Sequence, residues 1–440
     1  MSSLNKSAYR QNARAMTPAG TVVRGISAEK QLVRMTLANM LWEDQFYVDG
    51  KKSAELIADL VKKVDAKFVS NLAIMARTQF KMRHIPLLLT RELARTSRLA
   101  ADVLNTVIQR PDEMSEFLSI YWKEGKIPLA NQVKKGLAKA MGKFNEYQLA
   151  KWDKNSAAVK LRDVLFLTHP KPVNKSQEDL FKRIANKQLA TPDTWETELS
   201  GGANKAETFT RLMAEKKLGA LAFLRNLRNM TDAGISDSVI RDYAKNVDVT
   251  KVLPFRYMAA ASIMPRFEDM LEGMMLSSLE SHEKLPGKTK LYVDVSSSMY
   301  TTKVSAKSDL TRRDAALALA ILCREICEDI EIYSFSGKAL RIAPRHGFAL
   351  ADAIRDSQGC SGTDLGKSLL ETRSQCDRII VITDEQSYDR VEGPAFGAKG
   401  YMINVAAYEN GINHGAWLTI SGFSEAVIDY IQATEKDVSL

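Results

Sequence analysis

The feature of this sequence that most constrains its fold is a change of hydrophobic period near residue 288. Before it, apolar residues recur at helical spacing, as in SAELIADLVKKV, where Leu56, Ile57, Leu60 and Val61 mark one packed helix face. After it, short β-branched and aromatic runs such as KLYVDV and RIIVIT alternate with helical patterns. The two periods belong to different layer architectures, so the sequence predicts two domains, 1–285 and 286–440.

The first domain is predicted to be all-α. Its helical segments are short, and turn or capping residues separate them, as in RPDE, HPKP, TPDT and SGG. A long succession of short helices indicates an α-solenoid of the HEAT type. Because no fixed repeat length is visible, an irregular helical bundle remains an alternative.

The second domain is predicted to be a doubly wound α/β fold, with a parallel sheet covered by helices on both faces. In such a sheet, ligands bind at the carboxyl ends of the strands. The strand LYVDV ends in an Asp-x-Ser-x-Ser motif, which carries Asp294, Ser296 and Ser298. A Gly-rich turn farther on supplies Thr363, and the strand RIIVIT runs into Asp384. Since this set offers only oxygen atoms, it predicts a site for Mg²⁺ or Mn²⁺.

Catalysis is not expected at these residues. Neither Asp294 nor Ser296 has a histidine nearby in the sequence, and the G-x-S-x-G motif is absent. His346 and His414 belong to the same domain but lie outside the metal motif, and we expect both to be structural. The chain is therefore predicted not to be an enzyme.

The charge of the chain is divided unevenly between the two domains. Residues 1–285 hold 45 basic and 32 acidic residues, whereas residues 286–440 hold 17 and 21, which together give the net charge of +9. A domain with a net charge of +13 suggests contact with a polyanion. A solvated surface rich in lysine is the alternative interpretation.

Basic side chains also recur at helical spacing within the first domain. In NQVKKGLAKAMGKF an apolar face is opposed by Lys135, Lys139 and Lys143, with Lys134 beside them. Such a row suits a phosphate backbone and suits plain solvation equally well. The segment LRNLRNM adds Arg225 and Arg228, for which phosphate contact and an inter-helix salt bridge are both open.

Composition and cysteine usage favour a cytoplasmic protein. No apolar run is long enough to span a membrane, and no apolar segment follows the basic residues of the N-terminus. The four cysteines form no C-x-x-C pair. Buried free thiols in a reducing compartment are the expected state.

The five metal-motif residues resemble the metal-ion-dependent adhesion site of the von Willebrand factor A domain. Asp294, Ser296, Ser298, Thr363 and Asp384 match that site one by one, on the expected alternation of strands and helices. The resemblance covers about residues 288–433. It implies a site that binds an acidic side chain of a partner protein through the metal.

The whole chain resembles the Ro ribonucleoprotein family, in which a TROVE module of HEAT-like helical repeats is closed into a ring by a von Willebrand A domain. The segments that carry the resemblance are WEDQFYVDG, LRDVLFLTHPKP, TWETELS, ALAFLRNLRNM and VLPFRYMAA, followed by DVSSSM. The resemblance implies a monomeric ring that binds a small noncoding Y-like RNA on its outer face. It also implies that single-stranded 3′ ends of misfolded RNA enter the central hole.

The resemblance also implies RNA-binding roles for single residues. His169 matches a position on the outer RNA-binding face of the family, and Lys151 matches a basic position upstream of it. Lys154 is the candidate for a second basic position, while Lys134, Lys135 and Lys139 belong to the same basic region. The expected role is noncoding-RNA quality control or the tethering of a nuclease. The rival hypothesis is a metal-dependent protein-interaction adaptor whose helical module is a scaffold.

Overall fold

The computed structural model of this protein describes most of the chain, in several segments. These are residues 27–38, 50–153, 157–250, 252–280, 282–301, 303, 310–359, 362–384, 387, 389–405, 416–421 and 426–435. Its described residues form two compact units. The helical unit lies within residues 28–252, 260–274 and 426–435, and the sheet unit lies within residues 253–259 and 275–425.

Helices account for all the elements assigned among the described residues before Leu285. They are α1 (Ala28–Ala38), α2 (Gly50–Val61), α3 (Ala66–Thr78), α4 (His84–Thr96), α5 (Ala100–Val107), α6 (Asp112–Tyr121), α7 (Asn131–Met141), α8 (Glu146–Trp152), α9 (Leu161–Thr168), α10 (Lys175–Asn186), α11 (Trp195–Ser200), α12 (Lys205–Ala214), α13 (Ala220–Asp232), α14 (Asp237–Ala244), α15 (Pro254–Ile263) and α16 (Glu268–Leu279), with a 3₁₀ turn at Pro265–Phe267. The prediction of an all-α first part is confirmed.

The helices begin where short polar side chains can accept hydrogen bonds from free backbone amides. Asp65 accepts from the amides of Lys67 and Phe68 at the start of α3, and Asn145 forms a capping box with Gln148 at the start of α8. Each helix packs mainly on near neighbours in the chain, as α3 does on α4 and α5 on α7. This local packing is typical of helical-repeat architecture.

A buried carboxylate joins several of these helices. Glu113, on α6, is fully buried and accepts a hydrogen bond from the Arg77 guanidinium of α3 at 2.5 Å. It also accepts from the backbone amides of Gln109 and Arg110 at 2.8 and 3.0 Å. Burial raises the pKa of Glu113, while Arg77 and these amides oppose that shift. The carboxylate thus links α3 to the start of α6.

The sheet unit contains six strands in the described part of the chain. They are β1 (Leu285–Asp294), β2 (Cys327–Phe335), β3 (Ala339–Arg341), β4 (Arg378–Thr383), β5 (Lys399–Asn404) and β6 (Trp417–Ser421), in the spatial order β3-β2-β1-β4-β5-β6. The helices between them are α17 (Ser297–Thr301), α18 (Arg312–Ile326), α19 (Gly347–Arg355) and α20 (Leu365–Glu371), with a 3₁₀ turn at Ala395–Gly397. The last helix, α21 (Ala426–Glu435), belongs to the helical unit.

The doubly wound prediction is confirmed, with one difference. Strands β1, β2, β4, β5 and β6 are parallel, but the three-residue strand β3 pairs antiparallel with β2. A short turn through Gly337 connects the two, and such a turn can join only antiparallel strands. The sheet is therefore mixed, with β3 at one edge.

The core of the sheet unit is built from strand residues and from α18. Leu291, Val293 and Ile380 are fully buried, and α18 packs on β1, β2 and β4. Cys323, Cys327 and Cys376 are buried free thiols, as expected, and burial raises the pKa of Cys323 well above its usual value. His346 bonds to Glu325 and Arg324, so it is held as a structural residue.

Across the ranges that the structure describes, no helix is both long enough and apolar enough to cross a membrane.

Glu113→Gln is expected to destabilise the helical unit by about 3–5 kcal/mol, because it leaves the buried Arg77 guanidinium without its countercharge. The free energy of unfolding is measured by urea titration with circular dichroism at the helical band.

The matched control is Asp59→Asn, which breaks the ion pair with Lys62, where the side chains are 63% and 62% exposed. That change is expected to cost about 0–1 kcal/mol. Equal unfolding midpoints for the two variants would contradict the role assigned to Glu113.

Candidate metal centre and nucleic-acid interface

The candidate metal centre lies where the strand order of the sheet reverses. Strands β1 and β4 are neighbours, and the chain continues from β1 to β2 toward one edge of the sheet and from β4 to β5 toward the other. Their carboxyl ends carry Asp294, the last residue of β1, and Asp384, which directly follows β4. A reversal of this kind opens a crevice at the sheet edge, which is where doubly wound proteins bind ligands.

Hydrogen bonds orient the Asp294 carboxylate. One oxygen accepts from the backbone amide of Ser296 at 2.9 Å, and the other accepts from the Thr383 hydroxyl at 2.7 Å. The Ser296 and Ser298 hydroxyls lie 3.2 Å apart, so both turn to the same side of the loop. Asp294, Ser296 and Ser298 are therefore brought together as the sequence predicted.

Thr363 reaches the same sheet edge through a separate set of bonds. The amide of Asp364 donates to the carbonyl of Ser336 at 2.8 Å, and the Ser336 hydroxyl donates to the carbonyl of Gly362 at 3.0 Å. Ser336 directly follows Phe335, the last residue of β2. The carbonyl of Phe335 accepts a hydrogen bond from the amide of Val295. The Thr363 loop is thus fixed beside the Asp294 loop.

Burial dominates the electrostatics of this centre. Asp294, Thr363 and Asp384 are each at most 4% exposed. Burial raises the pKa of Asp294 to about 6, and the nearby Asp384 carboxylate adds to that shift, against the hydrogen bonds from Ser296 and Thr383. Two buried carboxylates near one another favour a compensating cation.

One such cation belongs to the chain itself. The guanidinium of Arg312, the first residue of α18, donates to Asp384 at 3.2 Å, and the two side chains are 6% and 0% exposed. This arginine is not part of the ligand set predicted from the sequence. Its position at the start of a helix, beside Arg313, gave no sign that it would point inward.

The donor set suits a hard divalent cation. Carboxylate and hydroxyl oxygens are what Mg²⁺ and Mn²⁺ prefer, and the three short loops bring them to one crevice. The buried, desolvated state of Asp294 is the condition that a bound metal would relieve. The residues present therefore fit a metal of this class.

The predicted nucleic-acid residues of α7 divide into two groups. Val133, Leu137 and Met141 form the buried face, as expected, whereas Lys134 and Lys135 are exposed. Lys139 donates to Asp102 of α5 at 2.8 Å. Lys143, just beyond the helix, donates to the carbonyls of Asn105 and Ile108. Two of the four lysines thus hold α7 against α5 and its end, which leaves Lys134 and Lys135 to face solvent.

A large cleft in the helical unit combines aromatic and basic side chains. Its volume is about 1190 Å³. We call it the aromatic cleft and define it by Tyr147, Lys151, Trp152, Trp195, Lys216, Arg225 and Tyr243. Its wall also carries Glu196, Asp242 and Asp248, so its charge is mixed. The cleft is suited to a ligand that offers both flat apolar faces and anionic groups.

The aromatic rings of this cleft are held in place from behind. The Arg110 guanidinium lies 3.8 Å from the centre of the Trp152 ring, and Trp195 stacks on the buried Phe209 at 6.4 Å. Tyr147 is 45% exposed, with the Lys151 ammonium 5.8 Å from its ring centre. Arg225 is exposed as well. The Lys151 ammonium and the Tyr147 ring are therefore accessible to the same ligand.

A second exposed aromatic residue lies on α9, close to His169. Phe166 is 50% exposed, and the Arg162 guanidinium lies 5.3 Å from the centre of its ring. His169 is exposed and caps α9 in the left-handed conformation, with φ 45°. Arg162, Phe166 and His169 follow i, i+4, i+7 spacing, which aligns them on one side of the helix. We call these three residues the α9 edge.

Some of these residues could not be recognised from the sequence. Lys154, predicted as a basic contact, lies outside the described residues. Tyr147, Trp195 and Phe166 were missed because an aromatic residue at helical spacing is more often part of the core. Tyr147 and Phe166 are exposed and Trp195 is partly exposed because of the way the helices pack, which periodicity alone does not reveal.

The fold and these two sites define a class of protein in which a helical-repeat module accompanies a von Willebrand A-like domain. A model of the TROVE domain family matches residues 182–316. The crystal structure of the Ro (RSR) protein of Deinococcus radiodurans is similar, with a TM-score of 0.68 and 20% identity, over 92% of this chain and 99% of that one.

Curated relatives share a shorter segment. Telomerase protein component 1 from Rattus norvegicus and from Mus musculus is 36% identical over 90 residues, which is 19% of this chain and 3% of each relative. Together with the family model and the fold, this confirms the resemblance to the Ro ribonucleoprotein family seen in the sequence, with the TROVE match placed at residues 182–316.

Proposed function

We propose that this chain is a non-enzymatic RNA-binding protein that holds a small structured, Y-like noncoding RNA and single-stranded RNA ends. Its cellular role would be noncoding-RNA quality control, or the tethering of a nuclease to its RNA, in the cytoplasm. The observation that carries the proposal is the aromatic cleft, in which the exposed ring of Tyr147 and the partly exposed ring of Trp195 occur together with Lys151, Lys216 and Arg225 in the more basic part of the chain.

The chemistry of the cleft matches single-stranded RNA. Unpaired bases stack on aromatic side chains, and lysine and arginine contact the phosphates between them. Tyr147 and Trp195 offer rings, while Lys151, Lys216 and Arg225 offer the cations. Glu196, Asp242 and Asp248 oppose close approach of further phosphates and supply acceptors for the donors of a base.

The α9 edge suits a folded RNA instead. Its groups project from a helix surface rather than from within a cleft, so a double-stranded stem can approach them without unpairing. His169 and Arg162 can contact backbone oxygens, and Phe166 can support a looped-out base. This division supports two modes of RNA binding on one helical unit.

For the sheet unit, the proposal is a Mg²⁺ or Mn²⁺ site formed by Asp294, Ser296, Ser298, Thr363 and Asp384. When bound, the metal would supply an open coordination position for a carboxylate of a partner protein. Ser296 and Ser298 hold their hydroxyls together, and Thr383 fixes the orientation of Asp294. A nuclease or another protein of the RNA pathway is the kind of partner expected here.

The double variant Lys151→Glu, Arg225→Glu is expected to weaken binding of a single-stranded RNA oligonucleotide and to flatten its dependence on salt. Each lost phosphate contact lowers the log–log slope by about 0.7. Fluorescence anisotropy over a range of KCl concentrations measures both quantities.

The control is Lys62→Glu, Lys63→Glu at the exposed end of α2, which changes the net charge by the same amount away from the cleft. Equal losses in both double variants would show that only overall charge matters and would remove the cleft from the proposal.

Tyr147→Ala and His169→Ala are expected to separate the two modes of binding. Tyr147→Ala removes a stacking surface, which is worth about 1–3 kcal/mol per base, and should weaken mainly the oligonucleotide. His169→Ala should weaken mainly a stem-loop RNA with a base-paired end. Both affinities are measured with both RNAs at one salt concentration.

Tyr147→Phe is the matched control, because it keeps the ring and should retain the wild-type affinity. If both alanine variants weaken the two RNAs in the same proportion, the proposed division between cleft and α9 edge is wrong.

Asp294→Ala is expected to abolish binding of Mn²⁺ in isothermal titration calorimetry, because it removes a buried carboxylate from the metal site. Binding of RNA should persist, since the RNA residues belong to the helical unit. Wild-type affinity for Mn²⁺ in this variant would contradict the assignment of the metal site.

These measurements also address the adaptor hypothesis. A protein that binds Mn²⁺ through Asp294 but binds neither RNA at low salt would be a metal-dependent adaptor with a helical scaffold. Loss of RNA binding in the cleft and α9 variants excludes that alternative, because a scaffold face would tolerate those changes.

A further inference from the structure

The metal centre contains a positively charged side chain, Arg312. Its position affects how a metal ion can reach the carboxylates. Arg312 and Asp384 form an ion pair at 3.2 Å, with both side chains almost wholly buried. Asp294, the other carboxylate of the centre, accepts hydrogen bonds from the amide of Ser296 and from the hydroxyl of Thr383. The positive charge is thus placed against one of the two predicted carboxylate ligands.

From this geometry we infer that Arg312 is a built-in competitor of the metal ion. It neutralises Asp384 in the metal-free centre and must withdraw before a divalent cation can use that carboxylate. The inference rests on the metal site proposed above. It assigns Arg312 a role that the predicted ligand set does not include.

The charges of the centre support this inference. With Asp294 and Asp384 ionised and Arg312 protonated, the net charge of the three groups is −1. A divalent cation added to all three would give +1 in a buried site, where like charges repel strongly. An arginine keeps its proton at all accessible pH values, so it can relieve that repulsion only by moving away.

The position of Arg312 makes such a movement feasible. It is the first residue of α18, where Thr311 and Asp314 form a capping box that holds the helix start independently of the Arg312 side chain. The helix can therefore stay in place while the guanidinium turns outward. Metal binding is then coupled to exposure of a positively charged side chain at the rim of the crevice, next to the position offered to a partner's carboxylate.

The test is isothermal titration calorimetry of MnCl₂ into the full-length chain and its Arg312→Met variant. Methionine keeps much of the volume and removes the charge. The dissociation constant should fall by about tenfold or more, the amount that one hydrogen bond between charged groups contributes to an equilibrium. An unchanged or weaker affinity in Arg312→Met would overturn the inference.

Two further variants make the result specific. Arg313→Met alters the neighbouring arginine, whose guanidinium lies 4.3 Å from the centre of the Tyr300 ring, and should leave the affinity at the wild-type value. The double variant Asp294→Ala, Arg312→Met should bind no Mn²⁺ if the gain belongs to this centre. An equal gain in Arg313→Met, or a gain retained by the double variant, would overturn the inference.

If Arg312→Met does not fold, a crystal structure of the wild-type protein in the presence of MnCl₂ tests the same inference. The expected result is Mn²⁺ at Asp294 and Asp384, with Arg312 beyond hydrogen-bonding distance of Asp384. Mn²⁺ bound with the ion pair intact would overturn the role of Arg312 and leave the metal site standing. If neither wild type nor any variant binds Mn²⁺, the metal site itself fails, and the role of Arg312 fails with it.

Discussion

The helical unit depends on one buried carboxylate, that of Glu113. It accepts from Arg77 of α3 and from the amides that precede α6, including that of Arg110. The Arg110 side chain in turn bonds to Asp112 and covers the ring of Trp152, which lines the aromatic cleft. The proposed RNA surface is therefore connected to the interior of the helical repeat through two arginines. Stability and recognition are linked at this point, because loss of the hydrogen bonds to Glu113 would also release Arg110, which supports the ring of Trp152 in the cleft.

The sheet unit also contains a buried carboxylate paired with an arginine, but there the pair lies at a proposed binding site. Glu113 is enclosed by donors that cannot leave without unfolding the helices around it. Asp384 is paired with Arg312, the first residue of a helix, and the inference above has this side chain turn toward solvent while the capped helix start stays in place. Removing one partner of a buried ion pair is costly because it leaves the other charge buried and unpaired. At Asp384 the proposed metal ion would take the place of the departing arginine. The difference lies in the surroundings of the two carboxylates, since both are desolvated and both face arginine.

Much of the fold and part of the candidate sites could be predicted from the sequence, for reasons that these residues illustrate. Asp294 and Asp384 were found because strands end in recognisable β-branched runs, and parallel strands share one carboxyl edge. Strand β3 was missed because three residues carry no period, and β6 because its run WLTIS is short and stands apart. Arg312 could not be found at all, since an arginine near a helix start is usually solvated. Its inward orientation depends on Asp384, which is 72 residues away in the chain.

The charge of the helical module shows why composition alone overstates a nucleic-acid surface. Lys139 and Lys143 are used to hold α7 against α5, and Arg211 and Lys217 are both paired with Asp193. A lysine that stays bonded to groups of its own chain makes no phosphate contact, so it displaces none of the counterions condensed on the RNA and adds nothing to the salt dependence of affinity. What distinguishes an RNA surface from a solvated one is the placement of the few cations that remain free. At Lys151 and Arg162 they lie over exposed aromatic rings, where a base and its phosphate can be contacted at once.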